Sequence, residues 1–152
     1  MRMKKKQIIF VCTGNTCRSP MAEIILKTKI KLAGIEGIRV SSAGLCANDG
    51  EKISKNSAEA LKKLGYKPYG FKAKRLTPKM VEKADLVLCM TAEHKRYLSA
   101  YKNVFTLAEA IDGWDVLDPY GGDLSVYMEV SHQLEDACNI ILNKIIMEKG
   151  EN

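Results

Sequence analysis

The chain has no long apolar run and an odd number of cysteines. No stretch approaches the roughly 18 consecutive apolar residues of a membrane-spanning helix. The basic segment at 1–6 is followed by only the short run Gln7–Val11 before a polar loop, too few residues for a signal peptide. Five cysteines at irregular spacing argue against a disulfide framework and favour a reducing compartment. We therefore expect a cytoplasmic protein with no membrane partner.

Internal repeats and low-complexity linkers are also absent from the sequence. The 152 residues suffice for one hydrophobic core, and an apolar content of 46% is ordinary for a globular protein. The net charge is +6, but lysines are spread among glutamates and form no basic stripe interleaved with aromatic residues. We expect a monomer that binds no nucleic acid, with a single domain at 7–149 between a basic leader at 1–6 and a tail at 150–152.

Apolar runs alternate with helix start signals along the chain. Strands are predicted at 7–12, 38–42, 85–90 and 103–107, and helices at 20–33, 55–64, 92–100 and 125–147, with a short helix opened by Thr77 and Pro78. This βαβ succession predicts a single-domain α/β fold: a four-stranded parallel sheet with helices on both faces, of the flavodoxin or Rossmann type. The active site of such a fold lies beyond the carboxyl ends of the strands at a topological switch point, and Cys12 lies at such an end.

A short loop after the first strand holds both a nucleophile and a phosphate ligand. The loop runs from Cys12 to a helix start with Ser19 as its cap and Pro20 at its first position. Such a turn directs free backbone N–H groups and the positive end of a helix dipole into the loop, which favours a thiolate over a thiol. The planar donors of Arg18 can hold two oxygens of a phosphoryl group. We therefore expect Cys12 to attack a phosphate that Arg18 holds.

The other loop residues also suit a phosphate cradle. Gly14 allows close backbone approach, Asn15 tolerates a left-handed turn, and Ser19 can hydrogen-bond the thiolate. A cysteine at the end of a buried strand is more often a small core residue, and the C-x5-R spacing alone matches by chance, but the whole string favours catalysis. The predicted phosphate-binding loop comprises Thr13, Gly14, Asn15, Thr16, Cys17 and Ser19.

The string VCTGNTCRSPMAE resembles the signature of the low-molecular-weight protein tyrosine phosphatase family, and within it the loop of the bacterial protein-arginine phosphatases most closely. Further segments match in the same order: Ser42–Gly44, Ala84–Met90 and the DPYGG segment that begins at Asp118. The resemblance spans nearly the whole chain. It implies a phosphatase that acts on phosphorylated proteins through a cysteinyl-phosphate intermediate and binds inorganic phosphate or vanadate as inhibitors.

The resemblance also assigns the general acid to Asp118. The leaving oxygen or nitrogen must collect a proton when the thiolate attacks phosphorus, and a positioned carboxylic acid supplies it. The same group then acts as base toward the water that hydrolyses the cysteinyl-phosphate. These steps need no metal and no cofactor. The remaining acidic and histidine candidates are expected to be exposed and outside the chemistry: Asp112, Asp115, Asp123, His94 and His132.

Thr16 bears most directly on the choice of substrate. Tyrosine-specific members of the family typically have an apolar branched residue there, whereas a hydroxyl suits a guanidinium leaving group and resembles the arginine phosphatases. Tyr120 can form one side of the pocket and pack against either a phenol ring or a guanidinium. Gly121 occupies the position at which many tyrosine phosphatases have a second tyrosine. We expect a preference for phosphoarginine, with strict phosphotyrosine specificity as the alternative.

Two positions depart from the pattern of the family. Near Phe71 the family often has a histidine that supports the loop asparagine. An aromatic residue is common on the pocket rim about where Cys46 stands. The first departure affects how firmly Asn15 is held. The second affects how the rim of the pocket contacts an aromatic ring of the substrate.

Two further cysteines bear on related chemistries. In the family, a cysteine at the position of Cys17 can form a reversible disulfide with the nucleophile; the alternative is a small side chain that lines the loop. Thioredoxin-coupled arsenate reductases share the fold and relay a disulfide through two further cysteines near Cys89. No second cysteine occurs at 91–100, so the sequence favours a phosphatase over an arsenate reductase. A non-catalytic oxyanion-binding module is a further alternative, which would bind phosphate but never turn it over.

Overall fold

Four parallel strands form the central sheet of the computed structural model, which describes residues 6–150. The strands are β1 (Lys6–Cys12), β2 (Ile38–Gly44), β3 (Leu86–Cys89) and β4 (Val104–Thr106), in the order β2-β1-β3-β4. Because β2 and β3 lie on opposite sides of β1, the carboxyl end of β1 is the switch point at which folds of this type bind ligands. The predicted four-stranded parallel sheet is confirmed.

Helices cover both faces of this sheet. Within the described residues they are α1 (Arg18–Leu32), α2 (Lys55–Lys63), α3 (Pro78–Lys83), α4 (Ala92–Arg96), α5 (Leu107–Ile111) and α6 (Leu124–Gly150). Successive side chains of a strand point to opposite faces, so Phe10 packs into the core beneath α1 and α6 while Val11 packs into a smaller core with residues of α3. This division confirms helices on both faces.

Helix α1 begins two residues earlier than expected. The Met21 N–H donates to the Cys17 carbonyl, so Cys17 is the cap and its side chain makes no capping bond. The expected cap, Ser19, instead lies inside the first turn. Pro20 is therefore the third helical residue, not the first; it is tolerated there because the N–H groups of the first turn have no intrahelical partner.

The region after β3 differs more from the prediction. Helix α4 ends at Arg96, and the chain continues in tight turns in which Leu98 N–H donates to the Lys95 carbonyl and Tyr101 N–H to the Leu98 carbonyl. The predicted strand at 103–107 is shorter, and α5 follows it directly. The start of α5 is a capping box between Thr106 and Glu109.

The ends of the described chain belong to regular elements. Lys6 is the first residue of β1 and Gly150 the last of α6, while the rest of the predicted leader and tail, 1–5 and 151–152, lies outside the described residues. None of the helices in residues 6–150 has the length and apolar character needed to cross a membrane.

Candidate active site

Cys12 occupies the last position of β1, where the strand enters the loop. The residue is only 3% exposed, and its Sγ lies 2.8 Å from Ser19 Oγ in the first turn of α1. The free N–H groups of that first turn and its helix dipole stabilise negative charge in the loop. The sulfur therefore lies near the N-terminal end of α1, next to a hydroxyl that can donate to it.

The orientation of that hydroxyl is set by Asn15. The Lys74 backbone N–H donates to Asn15 Oδ1 at 2.9 Å, which fixes the side-chain amide so that its nitrogen faces Ser19 Oγ (2.8 Å) and Ser42 Oγ (2.9 Å). Because Ser19 Oγ accepts from Asn15, its own hydrogen is free to point at Cys12 Sγ. Asn15 has a φ of 55°, the left-handed conformation that its residue type tolerates.

The same network continues away from the nucleophile to a buried carboxylate. Ser42 Oγ donates to Glu23 Oε1 at 2.7 Å, and Glu23 is paired with Lys27 at 2.9 Å. These partners compensate the cost of burying Glu23, which is 7% exposed. Since a backbone N–H supports Asn15, the family departure near Phe71 does not leave the loop asparagine without a donor.

Arg18 and Asp118 meet beside the loop. Arg18 is 5% exposed, its Nη1 donates to the Val116 carbonyl at 3.2 Å, and its Nη2 lies 3.7 Å from Asp118 Oδ2. The Asp118 side chain is 63% exposed, and its Oδ1 accepts from the Tyr120 N–H at 3.0 Å. A buried guanidinium is thus held by the same chain segment that presents the carboxylate to solvent.

The end of β2 packs tightly under the loop. A Cβ on Gly44 would lie 2.6 Å from the Thr13 carbonyl oxygen and 2.8 Å from the Asn15 nitrogen. The Cys46 N–H donates to the same Thr13 carbonyl at 2.9 Å, which places exposed Cys46 at the rim of the loop; its part in the substrate pocket stays a prediction. A Cβ on Gly14, by contrast, would meet only Thr16 Oγ1, at 3.7 Å, among the described residues.

Thr16 and Tyr120, the other two predicted pocket residues, keep their polar ends available. Half-buried Thr16 accepts from the Ser54 N–H through its carbonyl (2.9 Å), and its hydroxyl has only a 3.9 Å contact with Cys17 Sγ in the described chain. Tyr120 is 85% exposed. Both side chains can therefore meet a ligand without breaking a strong internal hydrogen bond.

Cys17 faces a small polar cluster. Its Sγ lies 3.6 Å from both Ser54 Oγ and the Tyr127 hydroxyl. Burial and the contact with Cys17 raise the pKa of Tyr127 to about 12. Cys12 and Cys17 are both free thiols, so the reversible disulfide stays a prediction.

The expectation that His94 is exposed is wrong. His94 is 6% exposed, and its Nε2 lies 3.0 Å from Thr13 Oγ1. It lies in the first turn of α4, which Thr91 caps directly after β3, and β3 pairs with β1 next to the loop. This order of a central strand, a capping threonine and a histidine indicates that His94 follows a strand near the loop, but it does not distinguish a buried ring from an exposed one. His132, whose side chain is 61% exposed, is a surface group as expected.

Two of the other acidic side chains have structural partners. Asp115 accepts from the Ala92 N–H at the start of α4, and Asp123 accepts from Ser125 and Val126 at the start of α6. Within residues 6–150, no group of three or more His, Cys, Asp or Glu side chains is placed to hold a metal ion.

Fold and site together define an α/β protein with a cysteine and arginine loop built for a tetrahedral oxyanion. The sequence matches the family model described as low molecular weight phosphotyrosine protein phosphatase over residues 7–151. The chain belongs to this family and is a cysteine-dependent protein phosphatase.

Individual relatives carry two different activity names. A protein-arginine-phosphatase of Bacillus subtilis is 41% identical over 136 residues, covering 85% of this chain and 89% of the relative. The low molecular weight protein-tyrosine-phosphatase PtpB of Staphylococcus epidermidis is 39% identical, covering 89% and 96%. The solved structure of the arginine phosphatase YwlE from Geobacillus stearothermophilus has a TM-score of 0.88 at 33% identity, with 97% of both chains covered.

Proposed function

We propose that this chain dephosphorylates phosphoarginine in proteins through a cysteinyl-phosphate intermediate. The observation that carries the mechanism is the 2.8 Å contact between Cys12 Sγ and Ser19 Oγ, beside the 3.7 Å pair of Arg18 and Asp118. These contacts support the assignment of Cys12 as the nucleophile, Arg18 as the phosphate ligand and Asp118 as the acid. Together they supply each group that phosphoryl transfer to a thiolate requires.

In the first step, the Cys12 thiolate attacks phosphorus as the bond to the guanidinium nitrogen breaks. Arg18 and the loop N–H groups stabilise the charge on the phosphoryl oxygens. The Asp118 carboxyl gives its proton to the departing nitrogen, so arginine leaves without a negative charge. The hydroxyl of Ser19, oriented by Asn15, stabilises the thiolate before attack.

In the second step, water attacks the phosphorus of the cysteinyl-phosphate. Asp118, now a carboxylate, accepts the proton of that water. The sulfur–phosphorus bond breaks, Cys12 leaves as a thiolate, and inorganic phosphate is released. The exposure of the Asp118 side chain supports this assignment, because both the leaving group and the water must reach it.

The choice of phosphoarginine rests on Thr16. Its hydroxyl is available to a ligand, and a guanidinium brings several N–H donors that need acceptors. The Bacillus subtilis relative named protein-arginine-phosphatase, at 41% identity, supports the same choice. A phenol leaving group has no such donors, so it gains less from this hydroxyl.

Phosphotyrosine is the second candidate substrate. The Staphylococcus epidermidis relative is named a protein-tyrosine-phosphatase and is 39% identical. Tyr120, which is 85% exposed beside Asp118, offers a face on which a phenol ring can stack.

A comparison of wild type with Thr16→Ile on phosphoarginine and phosphotyrosine peptides of matched sequence tests this choice. We expect wild type to prefer phosphoarginine. Thr16→Ile should shift the ratio of the kcat/KM values toward phosphotyrosine by about tenfold or more, because a guanidinium N–H then loses the Thr16 hydroxyl as its acceptor. An unchanged ratio would overturn the arginine assignment. As control, Cys12→Ser should turn over neither peptide and still bind vanadate.

A reducing, cytoplasmic location is part of the proposal. The mechanism needs a free thiol at Cys12, and all five cysteines are free. The predicted protective disulfide between Cys12 and Cys17 would form only under oxidising stress and would halt oxidation before sulfinic acid. Finding sulfinic acid at Cys12 after mild peroxide, with no bond to Cys17, would refute this protection.

A further inference from the structure

His94 lies against the phosphate-binding loop but has no part in the mechanism above. Its ring is buried, and the Nε2 contact with Thr13 Oγ1 is 3.0 Å. Its Nδ1 is also buried and has no hydrogen-bond partner among the described residues. Among the described residues, the contact with Thr13 is therefore the one hydrogen bond of the ring that offsets the cost of burying it.

Thr13 is held from two directions. The Cys46 N–H binds its carbonyl oxygen at 2.9 Å, and His94 binds its side chain. These two contacts fix the backbone immediately after Cys12, including the peptide group that leads into Gly14. Backbone N–H groups at this position belong to the loop that receives the phosphoryl oxygens, so their direction must be set before the ligand arrives.

The unpartnered Nδ1 indicates which ring nitrogen carries hydrogen. A buried acceptor without a partner is tolerated more readily than a buried donor. This favours hydrogen on Nε2, which then donates to Thr13 Oγ1, so the hydroxyl hydrogen of Thr13 is not used by His94. Thr13 is exposed at the loop, so this hydrogen can point toward a bound oxyanion.

Burial is the main reason that the ring stays neutral at neutral pH, and charged groups face it from several elements. Arg18 faces it from α1, Glu93 from its own helix, and Asp115 and Asp118 from the segment between α5 and α6. Burial and the positive charge of Arg18 hold the pKa of His94 below its usual 6.5, against the opposing effect of the carboxylates. The ring therefore serves as a hydrogen-bonding support and not as a second cation.

We propose that His94 is a positioning residue, which holds Thr13 and thereby sets the phosphate-binding loop for its anion. The consequence for turnover rests on the proposed function. The consequence for anion binding does not, because the binding of vanadate that we expect at the loop does not depend on which substrate is the natural one.

The sharpest test compares two amides at the same position. The side-chain amide of glutamine reaches the place of Nε2, whereas that of asparagine reaches only the place of Nδ1. We expect His94→Gln to bind vanadate and turn over substrate within about twofold of wild type, and His94→Asn to lose about five- to tenfold in both vanadate affinity and kcat/KM. Thr13→Val should lose at least as much as His94→Asn, because it removes both the contact with His94 and the hydroxyl that can face the oxyanion.

A double-mutant cycle separates positioning from a purely structural role. If His94 acts through Thr13, adding His94→Asn to Thr13→Val should lower vanadate affinity by less than about twofold more. Equal losses in the Gln and Asn variants, or full additivity with Thr13→Val, would overturn the proposal. If a thermal melt shows that His94→Asn is not folded, the test rests on Thr13→Val alone. The proposal is then overturned if Thr13→Val binds vanadate as tightly as wild type does. Absence of hydrolysis with normal vanadate binding would instead count against the proposed function.

Discussion

At the scale of single residues, the five cysteines differ in how far their thiols are exposed to solvent. Cys46 is exposed at the pocket rim, whereas Cys89 and Cys138 are fully buried. Burial raises the pKa of Cys89 to about 12 and that of Cys138 to about 12. A thiol of this kind is a poor nucleophile at neutral pH, so Cys89 is unsuited to relay a disulfide. This agrees with the sequence argument against an arsenate reductase.

The cysteine environments predict a labelling pattern. With iodoacetamide at about pH 8, we expect native protein to be alkylated at Cys46 and to remain unmodified at Cys89 and Cys138, because only thiolates react and burial excludes the reagent. Peptide mass spectrometry reads each site. Labelling of Cys89 at the rate of Cys46 would contradict the pattern, and in urea all three should react.

The chemistry of the residues was easier to predict than their surroundings. Cys12 and Arg18 can be predicted from the residue types of their short loop, whereas Asp118 was assigned by the resemblance to the family, because its own segment reads only as a turn. His94 was not, because a histidine among charged neighbours on a short helix has the same local sequence whether it faces solvent or a loop. Its burial depends on how β3 lies beside β1, which local sequence does not specify.

At the scale of elements, the end of β2 and the phosphate-binding loop touch through backbone atoms. Gly44 is the contact, since any Cβ there would overlap the Thr13 carbonyl and the Asn15 nitrogen. Neither backbone atom can swing aside as a flexible side chain would. The loop therefore depends on β2 as well as on β1 and α1, which flank it in sequence.

Gly44→Ala should accordingly affect both stability and anion binding. We expect a loss of about 1–3 kcal/mol in the free energy of unfolding, measured in urea, together with weaker vanadate binding. Gly14→Ala is the matched control for stability, since its Cβ would have room, and its unfolding free energy should stay near wild type. Equal stability of the Gly44 and Gly14 variants would show that the loop can move away from β2.

The elements themselves followed local signals wherever those signals were strong. Long apolar or capped segments, such as β1 and α6, lie close to their predicted ranges. Helix α5 was missed because five residues are too few to show the helical periodicity of apolar side chains. The capping box of Thr106 and Glu109 is nevertheless visible in the sequence. The start of α1 was misplaced because Cys17, which has no usual capping side chain, is its cap.

At the scale of the whole molecule, burial of a neutral His94 makes stability depend on pH. In the unfolded chain its pKa returns to about 6.5, whereas in the folded protein it is lower. As pH falls below about 6.5, the unfolded state therefore binds more protons, and the folded state loses stability until the folded group is itself protonated.

This linkage predicts a difference between two histidine variants. Between about pH 7.5 and pH 5.5, we expect the unfolding free energy of wild type to fall more than that of His94→Gln, measured in urea at both values. His132→Gln should keep the wild-type dependence, since His132 is exposed. An identical pH dependence in wild type and His94→Gln would contradict the lowered pKa.

Sequence alone determined the class of this protein. The general acid was assigned by the resemblance to the family. The loop of Cys12 and Arg18 is recognisable from its residue types, and the alternation of strands and helices follows from local apolar periodicity. Both are properties of short segments, so they can be recognised without coordinates.

Tertiary structure alone decided how the loop is held. Three contacts that hold the loop join segments far apart in the chain. The Lys74 N–H bonds to Asn15, 59 positions away, and the His94 ring bonds to Thr13, 81 positions away. The Gly44 backbone packs under Thr13 and Asn15, 31 and 29 positions away. Contacts made by backbone atoms, such as those of Lys74 and Gly44, leave no pattern of residue types from which they could be predicted. They arise only when the parallel strands bring their carboxyl ends to one edge, because that packing determines which distant atoms meet.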